Sequence, residues 1–287
     1  MLLYLLYSAA QLLTFLMPRR FSYKLASFLA DLKYAISPQD RKVVMDNLSV
    51  VLGKGNPDIS PCARRVFRNF GKYLVDFLRL SKFRDEYATT LATVKGLEHW
   101  DEAVKRGKGV IALSAHIGNW ELAGAMTAFF DYPLHAVALD HNDPLVNNFF
   151  IKQRIKVGEK VIPVGPSLKR CFKVLKENEV LGLLADRDFS NSGIAVDFFG
   201  KKAILPKGPA FFAVKMDVAL VPVFLIRKPD DTFEYTVEEP ITCTEHSQDE
   251  ERDIQGVMKK YVTIIEKYVK RYPDQWSQFR KVWKEED

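Results

Sequence analysis

The chain has 287 residues, 47% hydrophobic and 27% charged, a balance that supports one large buried core and excludes a disordered or fibrous chain. Its net charge of +6 is N-terminal, because residues 1–90 hold 14 Lys and Arg against 7 Asp and Glu, and with no nucleic-acid motif beside it this basic region suits an anionic membrane surface. Three cysteines far apart, Cys62, Cys171 and Cys243, exclude a disulfide framework or a thiolate zinc site and point to a reducing compartment.

Residues 2–17 are apolar except for Ser8, Gln11 and Thr14, which recur every three residues as one narrow polar stripe on a helix closed by Pro18. At 1.5 Å per residue the helix reaches about 24 Å, short of a bilayer core of about 30 Å. The expectation is a membrane-associating helix over residues 1–20 that lies in or dips into the interface. If it spans, Arg19 and Arg20 place the following chain in the cytoplasm. A secretory signal fits less well, because no positive charge precedes the apolar run.

Residues 21–90 read as helical, with segments at 23–36, 39–52 and 61–80 separated by Ser37-Pro38 and by the Gly, Asn and Pro of residues 53–57. The third carries Arg64, Arg65, Arg68, Lys72 and Arg79 among Phe67, Phe70, Leu74 and Phe77. A solvated basic face and contact with lipid headgroups both fit that pattern.

From residue 91 the pattern changes. Short apolar runs at 110–114, 134–139, 161–164, 180–185 and 218–226 alternate with helical stretches near 98–106, 120–130, 144–157, 167–177 and 206–216. This alternation predicts an α/β fold with a mixed, largely parallel central sheet flanked by helices, in a single domain over 21–287 whose first part is helical. A further β segment is expected over 232–237. A last helix over 248–271 carries Ile254, Val257, Met258, Tyr261, Ile265 and Tyr268 at core spacing.

The stretch GVIALSAHIGNWELAGAM, residues 109–126, reads as strand, turn and helix. On one continuous helix His116 and Glu121 would lie roughly 140° apart, so they meet only if His116 precedes the helix. Gly118 permits the bend and Asn119 is a good N-cap. An imidazole held by a carboxylate can deprotonate a hydroxyl that attacks an activated carbonyl. The attacker would be substrate, since no G-x-S-x-G elbow surrounds Ser114 and no cysteine has a basic neighbour. A helix-capping turn with a hydrogen-bonded histidine is the plain structural alternative.

HIGNWE resembles the H-x4-D/E motif of glycerolipid acyltransferases, and in its HxGNWE form it is similar to the bacterial lipid A late acyltransferases and the phosphatidylinositol mannoside acyltransferases. Residues 183–224, LLADRDFSNSGIAVDFFGKKAILPKGPAFFAVKMDVALVPVF, resemble that family's second block, and YPDQWSQFRKVW, residues 272–283, its closing segment. The resemblance implies a membrane-associated O-acyltransferase on the cytoplasmic face of the inner membrane, peripheral or held by one N-terminal anchor. Its partners would be an acyl thioester on acyl carrier protein or coenzyme A and a glycolipid, foremost a lipid A precursor, with a mannosylated phosphatidylinositol as the alternative acceptor. A lipid-binding protein that keeps the fold without chemistry is a rival of another class.

The catalytic pair expected is His116 and Glu121. Substrate-binding residues expected are Asn119, Arg154, Asp186, Arg187, Asp188 and Lys207. Arg154 suits a phosphate or a developing oxyanion, or else a helical ion pair. The triplet Asp186, Arg187 and Asp188 either orients acceptor hydroxyls or forms a structural ion-pair network, and Lys207 precedes the helix start Gly208-Pro209, where free N–H groups can meet an anion. No metal and no cofactor are expected, because the histidines at 99, 116, 135, 141 and 246 are scattered, and Gly107-Lys108-Gly109 lacks a Walker frame.

Overall fold

The computed structural model describes residues 1–82, 88, 90–164, 168–189, 192–243 and 247–283. Four helices open the chain: α1 (Leu2–Leu16), α2 (Arg19–Ile36), α3 (Pro38–Leu52) and α4 (Ile59–Leu78). Helix α4 begins two residues ahead of the Pro61 boundary read from sequence. The first turn of a helix has no internal N–H bond for a proline to remove, so Pro61 sits inside it without a kink.

The polar stripe of α1 faces the protein. Gln11 Nε2 donates to the Leu78 carbonyl at 2.9 Å, Thr14 is buried, and the Arg79 guanidinium donates to the Thr14 carbonyl. Turning these groups inward leaves Leu2, Leu5, Leu6, Leu12, Leu13 and Leu16 exposed. Helix α2 adds Phe21, Leu25, Phe28, Leu32 and Ile36, exposed and spaced three or four residues apart on one face. No described helix is long and apolar enough to cross a membrane.

The sheet combines β1 (Ala92–Lys95), β2 (Val110–Ser114), β3 (Leu134–Ala138), β4 (Lys160–Pro163), β5 (Val180–Leu184), β8 (Ala219–Arg227) and β9 (Phe233–Val237). Their order is β1-β9-β8-β2-β5-β3-β4, and every neighbouring pair is parallel except β8 with β9. A separate antiparallel hairpin joins β6 (Ile194–Phe198) to β7 (Lys201–Leu205). The fold is therefore α/β and largely parallel, as the alternating runs predict.

Side-chain alternation along β2 sorts the helices onto two faces. Val110 and Ala112 belong to the core under α5 (Glu98–Val104), α6 (Trp120–Phe129) and α7 (Pro144–Lys156). Ile111 and Leu113 belong to the core under α8 (Leu168–Lys176), α9 (Gly208–Met216) and α10 (Glu250–Arg271). The α8 start read at residue 167, and His246, lie outside the described residues.

Candidate active site

The turn between β2 and α6 is fixed from three sides. Gly118 has φ +63, and a Cβ there would collide with the Leu225 carbonyl, so only glycine fits. Its N–H donates to the Gln275 carbonyl at 3.1 Å, and the Asn119 N–H donates to the Leu225 carbonyl at 2.8 Å. Asn119 is the N-cap that sequence suggests, Oδ1 accepting from the Leu122 N–H at 3.0 Å. Its amide donates to Asp76 at 2.9 Å, and the side chain is buried away from the cavity described below. Asn119, expected from sequence to bind substrate, is placed here as the residue that positions the turn, and its side chain does not line that cavity.

The carboxylate beside His116 is Asp186, not Glu121. His116 Nδ1 lies 2.7 Å from Asp186 Oδ1, and the His116 N–H donates to Asp186 Oδ2 at 3.0 Å. The register explains the pairing. Ser114 is opposite Leu184, so two residues past each strand end His116 and Asp186 stand side by side. Trp276 Nε1 at 3.0 Å and Gln278 Nε2 at 3.3 Å also donate to Asp186 Oδ2. A carboxylate at Nδ1 fixes the tautomer with the proton on Nδ1 and leaves the Nε2 lone pair free. The ring edge meets Trp120 at a centroid distance of 5.1 Å.

Burial pushes the Asp186 carboxyl up, but the facing His116 imidazole, Arg187 and the Trp276 donor outweigh it and bring the pKa down to about 2. An unfolded Asp titrates near 3.9, so between about pH 4 and pH 2 the unfolded chain binds more protons than the folded one. The stabilisation from this carboxylate is complete above that window and is lost as pH falls through it. Urea midpoints of the wild type and Asp186→Asn are therefore expected to converge as the buffer is taken from about pH 5 to about pH 2; a constant gap would contradict the assignment.

Glu121 is engaged elsewhere. Its carboxylate receives the Arg154 guanidinium as a fork, Nε at 2.9 Å and Nη2 at 2.6 Å, with both side chains nearly buried. Burial works against the Arg154 charge, but Glu121 more than offsets it and the pKa rises. Glu121 lies in the first turn of α6 and points across to α7, while His116 leaves the turn toward β5. The expected pairing of Glu121 with His116 is replaced by two separate pairs, His116 with Asp186 and Glu121 with Arg154.

Both pairs border one cavity of about 1200 Å³ at the C-terminal ends of β2 and β5. His116, Glu121, Arg154, Arg187, Asp188 and Lys207 line it together with Tyr7, Phe70, Leu74, Phe150 and Phe211. Asp186, expected from sequence to bind substrate, stands behind His116 and does not itself line the cavity. Arg187 is held by the Gln278 amide oxygen at 3.0 Å and the Ser277 carbonyl at 2.9 Å, and Asp188 accepts from the Gly193 N–H at 2.8 Å. Lys207 occupies the N-cap position of α9 without a side-chain cap bond, lines the cavity, and forms no ion pair among the described residues.

Nucleophiles of the protein itself are poorly placed. Ser114 donates its proton to the Val223 carbonyl at 2.7 Å, and burial pushes the Cys171 thiol up. Among the described residues no three His, Cys, Asp or Glu side chains converge on a point that could hold a metal. Sequence reasoning did not single out Trp276, Gln278 or Glu159. The first two lie in the Q-W-S-Q run of the closing segment, and an acidic residue before a strand gave no signal for the third.

A family model described as bacterial lipid A biosynthesis acyltransferase matches residues 1–285. The chain is 33% identical over 185 residues to the phosphatidylinositol mannoside acyltransferase of Mycobacterium tuberculosis (strain ATCC 25618 / H37Rv), covering 61% of this chain and 58% of that protein. To the phosphatidylinositol mannoside acyltransferase of Mycolicibacterium smegmatis it is 29% identical over 201 residues, 68% and 66% of the two chains. To the lipid A biosynthesis acyltransferase of Haemophilus influenzae it is 28% identical over 131 residues, 45% and 41%. The chain thus spans 58% and 66% of the lengths of the two mannoside relatives.

Proposed function

Because the chain belongs to the bacterial lipid A biosynthesis acyltransferase family, we propose that it moves a fatty acyl group from a thioester, on acyl carrier protein or coenzyme A, to a hydroxyl of a membrane glycolipid. The observation that carries this reading is the His116–Asp186 pair at the wall of an apolar cavity large enough for an acyl chain. His116 Nε2 takes the proton of the acceptor hydroxyl, and that oxygen forms a C–O bond with the thioester carbonyl carbon. The C–S bond then breaks, and the departing thiolate takes the proton back from the imidazolium, which Asp186 stabilises. The Glu121–Arg154 fork is a fixed polar wall beside this centre. Burial of the chain in the cavity contributes about 0.8 kcal/mol per methylene.

Two acceptors are supported. The family description favours a lipid A precursor, and the relatives with the larger coverage favour a mannosylated phosphatidylinositol. Incubating the protein with acyl carrier protein and coenzyme A thioesters and each glycolipid, then measuring thiol release and lipid mass, tests the reading. Thiol released in step with one acylated glycolipid supports it; no release above background with any pair overturns it.

Membrane binding through α1 and α2 delivers such an acceptor. Each of the two helices exposes large apolar side chains, α2 along one face of a helix that also carries Arg19, Arg20 and Lys24, and Tyr7 of α1 also lines the cavity. The double variant Phe28→Asp with Leu32→Asp is expected to lower binding to anionic vesicles by more than about tenfold, since each buried side chain contributes about 1.5–3 kcal/mol. Co-sedimentation reads the loss, and equal binding by wild type and variant would exclude this face.

A further inference from the structure

The inner part of the cavity is opened by small residues. Ala112, Gly182 and Ala136 are in register across β2, β5 and β3, so they share one face of the sheet. Ala123, Gly124 and Thr127 of α6 line the same space, and the Leu134 side chain borders it beside Gly124 and Gly182. Into it reaches Glu159, the residue before β4. It is only 3% exposed, and its Oε1 has no hydrogen-bond partner among the described residues. That oxygen stands against Gly124, where an added Cβ would lie 2.8 Å from it.

Two other polar groups near it, Thr127 and Ser114, are already satisfied. The Thr127 hydroxyl bonds the Ala123 carbonyl at 3.0 Å and the Tyr235 hydroxyl at 2.9 Å, and Ser114 is spent on Val223. Burial holds the Glu159 carboxyl well above the usual carboxylate range, Glu121 adds to that shift, and Arg154 opposes it. The neutral acid offers an O–H donor and a carbonyl acceptor together. A plain alkyl chain laid against it leaves both unmet, which costs on the order of tenfold in affinity or more.

We propose that Glu159 forms a subsite for an oxygen-bearing acyl chain, hydrogen-bonding a hydroxyl carried in the middle of the chain, so that the protein selects hydroxylated acyl groups over plain ones of equal length. This rests on the reading of the cavity as the acyl site. The mid-chain position follows from the helix. Gly124 lies five residues past the cap Asn119, about 7.5 Å along the axis at 1.5 Å per residue, well beyond the carbonyl that His116 serves.

The test pairs binding with turnover. Free fatty acids of one length, plain or hydroxylated at successive carbons, displace a fluorescent fatty-acid probe from the protein, and the matching acyl carrier protein thioesters are offered with a glycolipid extract. For at least one mid-chain position the wild type is expected to bind and use the hydroxylated chain about tenfold better than the plain one. Glu159→Gln, whose amide also donates and accepts, keeps the preference, and Glu159→Leu reverses it toward the plain chain. Equal handling of all chains by the wild type, or an unchanged preference in Glu159→Leu, would overturn the subsite. Selective displacement without turnover leaves the subsite standing and removes the transfer reading. Turnover without selectivity does the opposite.

Discussion

Asp186→Asn is expected to lower kcat/KM for acyl transfer by about 10² to 10⁴, the usual range for a positioned general base and its orienting carboxylate. The carboxylate accepts from three directions at once: the His116 ring and N–H, Trp276 and Gln278. An asparagine keeps one acceptor for the backbone and the indole, but it presents an NH₂ to Nδ1. That donor favours the tautomer with the proton on Nε2, where the base must be free. The imidazolium of the transfer step also loses its counter-charge. A folded Asp186→Asn protein that loses less than about tenfold would show that Nε2 is not the working base.

Glu121→Gln is expected to destabilise the fold by about 3–5 kcal/mol, the cost of breaking a buried ion pair from one side, which at this size lowers Tm by roughly 10 °C. The fork to Arg154 is nearly out of water, so the abandoned guanidinium has little solvent to turn to. Arg154→Lys keeps the charge but loses the paired geometry and is expected to fall between the wild type and Glu121→Gln. Replacing both residues together by methionine is expected to recover much of the stability, because a well-packed apolar pair avoids the desolvation that a lone charge suffers. Acyl transfer is not expected to return with it, since the polar wall beside the reacting centre is gone. A single Glu121→Gln variant as stable as the wild type would mean that the pair is not closed in solution.

Much of this arrangement is legible in the chain. Strands β2, β5 and β8 carry continuous apolar runs, β2 and β8 buried throughout as central strands covered on both faces require, and the Gly118-Asn119 bend and cap follow from residue type alone. Strand β1 escaped because Thr93, Val94 and Lys95 lie exposed at the sheet edge and show no apolar run. The β6–β7 hairpin lies outside the apolar runs, since its two short strands flank Phe199 and Gly200, both at positive φ, as in a tight two-residue turn.

The partner of His116 was hidden for a different reason. Two carboxylates were available, and the nearer in sequence, Glu121, drew the pairing. Proximity along the chain counts for little once a strand ends. What brings Asp186 to His116 is the β2–β5 register, a contact 70 residues apart that composition and spacing do not encode. The inward turn of the α1 polar stripe was likewise invisible, because it depends on Leu78 and Arg79 of a later helix.

The most direct test is the turnover of His116→Ala beside the wild type, with a labelled acyl thioester and a glycolipid acceptor, and with unchanged circular dichroism as proof of folding. The wild type should place the label on a glycolipid hydroxyl and release one thiol per acyl group, while His116→Ala should lose about 10² to 10⁴ of that rate. Transfer by the folded variant at the wild-type rate would contradict the assignment of His116 as the base.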